Sequence, residues 1–290
     1  MIVPAPESVS SLSDASEDAA QSDVRARNRE AITSGNEILT TAELVEARAL
    51  WGPRVGIAVM GLNGGGVAGF EGRGSPYAWS TTKLLIVAQI LRDVGGPEAL
   101  TDQQRFAIEL AITESDNDAA AELNAELKSR HSGPTSTAQV LTEMLRDVGD
   151  PTTTIEPGRE ANSNYGLSVW EVQAQAAFMS ALARGCVLDD DSTDYLLTTM
   201  GRVIDEQAWG LGAIGADAFK GGWGAKTGET AFEVRQVGVV RAANGNPYVL
   251  AIAAWPQEES YLAGQVLVEE VARWVAGKVV AAPQASGCFD

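Results

Sequence analysis

The chain has 290 residues, enough for one large domain or two intimate lobes around a sizeable core. Thirty-nine acidic against 21 basic side chains leave a net charge of −18, which argues against nucleic acid or an anionic membrane surface as partner. No apolar run is long enough to span a bilayer, and the two cysteines, Cys186 and Cys288, lack metal-ligand spacing. No metal and no cofactor is expected.

Residues 1–38 are rich in Ser, Ala and Asp, with five acids before the first base at Arg25, and read as a disordered tail. They hold no basic n-region and no apolar h-region, so no export signal is expected in them. A domain over 39–290 follows. It opens with an amphipathic helix at 41–50, a buried strand at 55–60, a turn at Asn63-Gly64-Gly65-Gly66 and a returning strand at 67–71. Residues 78–91 read as a helix that is apolar on every side after Lys83 except at Gln89, the pattern of a helix buried in a large core. Stop signals close it between Arg92 and Pro97. Further helices are expected at 101–113, from 118, at 137–146, from Ser168 to 184 and at 193–202. A capping box, Ser168-Val169-Trp170-Glu171, would open the one at Ser168. Residues 150–165 form a long irregular segment, and such a loop inside a compact domain is usually functional. After 209 the chain turns Gly-rich, then gives strands at 232–240 and 248–255 around a turn at 244–246, and an amphipathic helix at 260–280. This order predicts an α+β fold. Both chain ends (about 54–72 and 215–255) enter one antiparallel sheet flanked by helices, with an all-helical lobe (about 80–205) inserted.

Ser80 and Lys83 are three apart, so on a helix they share a face. A lysine at the head of a buried apolar helix is desolvated, which moves its pKa towards the range of a usable base, and a serine beside it is a candidate nucleophile. The plainer alternative is a capping hydroxyl and a lysine that snorkels to water. The sole histidine, His131, sits in a polar turn and reads as a solvated loop residue. With no G-x-S-x-G elbow present, a Ser-His-Asp hydrolase is not supported. Ser115-Asp116-Asn117 could cap the helix that follows it. Lys226-Thr227-Gly228 could be an exposed turn, but it is not a phosphate loop, because Ala225 and Lys220 stand where glycines are required. Cys186 and Cys288 both lie in loop-like sequence, where two exposed thiols would be a liability. They are predicted to pair, pinning the C-terminal tail to the helical lobe and implying an oxidising location.

Taken jointly and in this order, Ser80-Thr81-Thr82-Lys83, Ser115-Asp116-Asn117 and Lys226-Thr227-Gly228 resemble the S-x-x-K, S-D-N and K-T-G motifs of the penicillin-interactive serine enzymes, the class A β-lactamases and DD-peptidases. The resemblance covers residues 40 to 280 approximately. It implies that Ser80 is the acyl-accepting nucleophile and Lys83 its proton partner. Ser115 would pass the proton to the leaving nitrogen, and Asn117 would bind the substrate amide. Lys226, Thr227 and Gly228 would line the edge strand and hold the substrate carboxylate, helped by Arg235 nine residues on. The oxyanion hole would be the Ser80 N–H and one near Thr230.

Three departures from the family pattern are visible. Ser80 and Ser115 are only 35 residues apart (115 − 80), which implies a reduced helical lobe. Phe219-Lys220-Gly221-Gly222-Trp223 rivals the third motif, since Lys220 also stands beside an open backbone. The loop glutamate that serves class A deacylation is matched in spacing by Glu160 and Asn164, although a surface glutamate in a polar loop would look the same. The resemblance therefore implies a monomeric serine hydrolase of the cell envelope or exterior, acylated by a small-molecule β-lactam or a peptidoglycan-like D-Ala-D-Ala peptide. A DD-peptidase or a non-catalytic envelope binding protein on the same fold is the alternative.

Overall fold

The computed structural model describes residues 38–73, 76–132, 134–157, 165–225 and 232–288. The expected tail, up to residue 37, lies outside them. The order of elements is α1 (Thr41–Trp51), β1 (Val55–Gly61), β2 (Val67–Phe70), α2 (Lys83–Val94), α3 (Asp102–Glu109), α4 (Asn117–Arg130), α5 (Pro134–Asp147), α6 (Val172–Ala183), α7 (Asp190–Met200), β3 (Ala218–Ala225), β4 (Phe232–Arg241), β5 (Pro247–Ala254) and α8 (Tyr261–Lys278). The strands form one sheet in the order β2-β1-β5-β4-β3, and every neighbouring pair is antiparallel. The opening hairpin is thus completed by strands from the far end of the chain, with Ile57 opposite Ile252 and Ala58 opposite Ala251.

Both faces of this sheet are covered, which explains why its central strands read as unbroken apolar runs. Along β5, Val249, Ala251 and Ala253 join the core beneath the helical lobe. Tyr248, Leu250, Ile252 and Ala254 join a second core under α1 and α8. Period-two alternation divides one strand between two cores. On the lobe side α2 is the central helix: Leu84 through Ile90 are buried, including Gln89, whose amide donates to Asp93. Each of its fully buried Leu and Ile side chains contributes about 1.5–3 kcal/mol of transfer free energy.

Some local expectations are corrected. Ser168 does not cap α6; its hydroxyl accepts from the Glu156 N–H. The first N–H groups of α6, on Val172 and Gln173, are instead taken by the carboxylate of Glu71, 3.0 Å from each. The helix expected over 101–113 keeps α-geometry only to Glu109 and ends in a π-turn, Leu110–Glu114. His131 is not a free loop histidine. Its Nε2 lies 2.8 Å from Asp93 and ties the end of α4 to the end of α2.

Cys186 and Cys288 are disulfide-bonded, with Cα atoms 5.0 Å apart. The bridge holds the C-terminal segment on the loop after α6. Arg184, donating to the carbonyls of Ser286 and Gly287, reinforces it. The two cysteines are 102 residues apart in sequence, and a native cross-link is worth about 2–5 kcal/mol in small domains.

Candidate active site

Ser80 is carried by a single 3₁₀ turn, Trp79–Thr82, that feeds directly into α2. The residue before it, Trp79, has φ +47°, a left-handed conformation that a bulky residue adopts only when its surroundings hold it there. Those surroundings are visible. The N–H groups of Ala78 and Trp79 donate to the carbonyls of Ser168 and Gly166, and the Trp170 N–H donates to Pro76. The segment before the serine is therefore stitched to the far end of the long loop.

One turn on from Ser80, the Lys83 ammonium donates to the Ser115 carbonyl at 2.5 Å and to Asn117 Oδ1 at 2.9 Å, and lies 3.4 Å from the Ser115 hydroxyl. Burial lowers its pKa to about 8, against a weaker upward pull from Asp116. It does not snorkel to water; it is 1% exposed. Ser115 follows the π-turn and has φ +56°, so a second strained residue stands in the same cluster. The two readings of Ser115-Asp116-Asn117 divide between its residues. Asp116 caps α4 through the Ala119 N–H, while Ser115 and Asn117 turn to Lys83.

The other lysine at Ser115 is Lys220. Its ammonium donates to the Ser115 hydroxyl at 2.8 Å and to the Gly221 carbonyl at 3.0 Å. Burial, and then the neighbouring Lys83, hold its pKa well below the ordinary lysine value. The sequence favours Lys226 for this place, on its literal Lys-Thr-Gly; Lys220, its rival, is the described third-motif lysine at the Ser115 hydroxyl. Lys226, Thr227 and Gly228 lie outside the described residues, as do Thr230, Glu160 and Asn164. β3 pairs with β4 from Ala218 opposite Val239 to Ala225 opposite Phe232, which puts Lys220 well inside the ladder.

β3 is the edge of the sheet. The Gly221 carbonyl accepts from Lys220, and by the two-residue period Trp223 presents its N–H and carbonyl to the same side of the strand as Gly221. Gly222 between them lies against the nucleophile: a Cβ there would stand 2.8 Å from the Ser80 nitrogen. The Ser80 N–H and the edge of β3 are thus neighbours.

Arg235 does not face a substrate. It pairs with Gly222 in the ladder and is fully buried. Its guanidinium donates to the carbonyls of Tyr77 (2.7 Å) and Trp170 (2.9 Å) and to Gln175 Oε1 (2.8 Å). The carboxylate-binding role that the resemblance implies for it is withdrawn, because the guanidinium is fully buried and both of its terminal nitrogens are engaged beneath the site. Two buried acids flank it. Burial pushes Glu71 up to about 7 against the N–H groups of Gln173 and Val172. Burial likewise pushes Glu233 up to about 7, against the pull of Arg235. Sequence reading missed Glu71, Glu233, Gln175 and Thr81. The one available signal was Gln175, one of three polar residues in the largely apolar run of α6.

These acids give an expected pH dependence. Both folded-state pKa values lie above the unfolded value of 4.5, so the native state holds their protons more tightly. Their stabilisation is complete below pH 4.5 and is lost as pH rises through about 7. Thermal unfolding should show a midpoint that falls by a few degrees between pH 5.5 and 8, on the order of 1–3 kcal/mol. Glu233→Gln should flatten that slope; an unchanged slope in the variant would show that Glu233 does not titrate in this window.

Among the described residues no group of side chains has the make-up of a metal site, and no helix is long and apolar enough to cross a membrane. The family model for the β-lactamase enzyme family matches residues 100–278, a stretch that contains Ser115, Asn117 and Lys220 and begins after Ser80 and Lys83. No curated protein matches the chain. Among solved structures, the TLA-3 extended-spectrum β-lactamase superposes with a TM-score of 0.65, at 15% identity over 83% of this chain and 98% of that one. A β-lactamase from Chitinophaga pinensis gives 0.63, at 16% identity over 81% and 97%. A representative class A β-lactamase from Bacteroides cellulosilyticus gives 0.63, at 12% identity over 82% and 96%. At such identities the likeness is one of fold, α+β with a five-stranded antiparallel sheet.

Proposed function

This chain belongs to the β-lactamase enzyme family, and from that premise we propose that it is a class A-like serine hydrolase acylated at Ser80 by a β-lactam or a D-Ala-D-Ala-like amide. The observation that carries the reading is the Ser115 hydroxyl set between the ammonium groups of Lys220 and of Lys83, the lysine one turn on from Ser80. Attack by a serine on an amide carbonyl needs three things: removal of the hydroxyl proton, stabilisation of the oxyanion, and a proton for the leaving nitrogen. Lys83, with its lowered pKa, is the base for the first. The N–H groups of Ser80 and Trp223 supply the second. Ser115, in contact with Lys83, relays the proton for the third, while Lys220 orients its hydroxyl and offers positive charge to a substrate carboxylate. Asn117 holds the substrate amide. Glu160, whose spacing matches the family's deacylating glutamate, is the candidate base for releasing the acyl group. The Cys186–Cys288 bridge supports an oxidising compartment as the site of action.

A fluorescent penicillin tests this directly. A covalent label is expected on the peptide containing Ser80 and should vanish in Ser80→Ala, which keeps its fold because a hydroxyl at such a turn contributes only about 1 kcal/mol. The lifetime of the label separates the activities: rapid loss marks hydrolysis, and a persistent adduct marks a peptidase or a stalled acyl-enzyme. A folded wild-type protein that takes no label from either a penicillin or a D-Ala-D-Ala thioester would overturn the assignment and favour a binding protein.

A further inference from the structure

We propose that Arg235, acting with Glu233 and Gln175, is the positioning element for the nucleophile: it sets where the Ser80 N–H and hydroxyl stand relative to the edge of β3. The inference rests on the reading of Ser80 given above, but the contacts that carry it lie outside the reacting groups. Both peptide groups of Tyr77, three residues before Ser80, are held by side chains from β4. The Tyr77 N–H donates to Glu233 at 3.0 Å, and its carbonyl accepts from Arg235 at 2.7 Å. A second arm of the same guanidinium reaches Gln175 at 2.8 Å. The Gln175 amide in turn donates to the Thr81 hydroxyl at 2.8 Å, and that hydroxyl donates to the Ala78 carbonyl. Residues on both sides of Ser80 are thus fixed through one buried cation.

The arrangement exceeds what packing alone requires. A lysine in this place could not make it, because the guanidinium fork reaches Tyr77, Trp170 and Gln175 at once, three acceptors on two stretches of chain. The segment it holds is one that would not rest there unaided, since Trp79 is left-handed. Arg235 also stands opposite Gly222 in the ladder, the residue whose missing Cβ lets β3 approach the Ser80 nitrogen. One ladder position therefore fixes both the strand edge and the turn that faces it. Oxyanion donors work only within a few tenths of an ångström of their place, so this registration is what the chemistry needs.

Arg235→Lys and Gln175→Met test it. Gln175→Met keeps the volume and the charge balance, so it carries the test if Arg235→Lys does not fold. With a fluorescent penicillin, rapid-mixing kinetics should show the acylation step slowed by about 10–100-fold, the size expected from misplacing reacting groups by about 1 Å. Non-covalent binding before that step should change less than threefold, a split that simple loss of stability would not produce. Hydrogen exchange supplies a second readout that does not depend on the substrate. Amides of residues 76–82 should exchange faster in Gln175→Met while those of β5 stay protected. Acylation within threefold of wild type in a folded Gln175→Met protein overturns the inference. If the wild type takes no penicillin, the functional reading has failed separately and the exchange data decide: unchanged protection at 76–82 overturns the positioning role, and local loss upholds it.

Discussion

Lys83→Ala is expected to slow acylation of Ser80 by about 10²–10⁴-fold, the usual contribution of a general base. The physical ground is the lysine's position. It is buried at the head of α2, and desolvation lowers its pKa to about 8, so at pH 7 roughly one molecule in ten presents a neutral amine. In the wild type the acylation rate should therefore rise with pH, about tenfold per unit, and level off near pH 8. Lys83→Ala should lose that limb along with the rate. Lys220 competes for the same role, since it touches the same hydroxyl and its pKa is also lowered. The pair titrates together, so the profile belongs to both. If Lys83→Ala retains the rising limb and most of the rate, the base is Lys220 and Lys83 only holds Ser115 and Asn117 in place. Stopped-flow acylation between pH 5.5 and 9.5 decides between them.

Gly222→Ala should be nearly as damaging, for a steric reason. The added Cβ would lie 2.8 Å from the Ser80 nitrogen, 2.9 Å from the Trp79 Cβ and 3.2 Å from the Ala78 carbonyl oxygen. None of these is the tip of a flexible side chain, so either β3 or the nucleophile turn must move. The expected result is a loss of acylation of about 10²-fold from displaced reacting groups, with about 1–3 kcal/mol of destabilisation from overpacking. Gly277→Ala is the control. That glycine is in α8 with open space around it, and alanine there should be neutral or stabilise by about 0.5–1 kcal/mol. A folded Gly222→Ala enzyme with wild-type acylation would mean that the contact between β3 and the Ser80 turn is not part of the working site.

Much of this molecule is determined locally. The apolar runs of β1 and β5 are continuous because both sheet faces are covered, and the turn at 244–246 marks the β4–β5 hairpin from its own residues. The helix after Ser80 could only be central, since no polar face was left for water. The pairing of Cys186 with Cys288 was the expectation from their loop settings, with two inert thiols as the alternative, and the fold that brings them together decides it. The choice of the third lysine was not determined locally. Glycines at 221, 222 and 224 carry no side chain, so the alternation that would mark inward residues is erased there. Only the register of β3 on β4 brought Lys220 to Ser115. The same register turned Arg235 under the nucleophile instead of towards a substrate. Glu71 took the head of α6, 101 residues away, from a serine whose spacing suited the task. Each of these outcomes depends on which distant segment arrives beside a given residue, and local propensity carries no record of that.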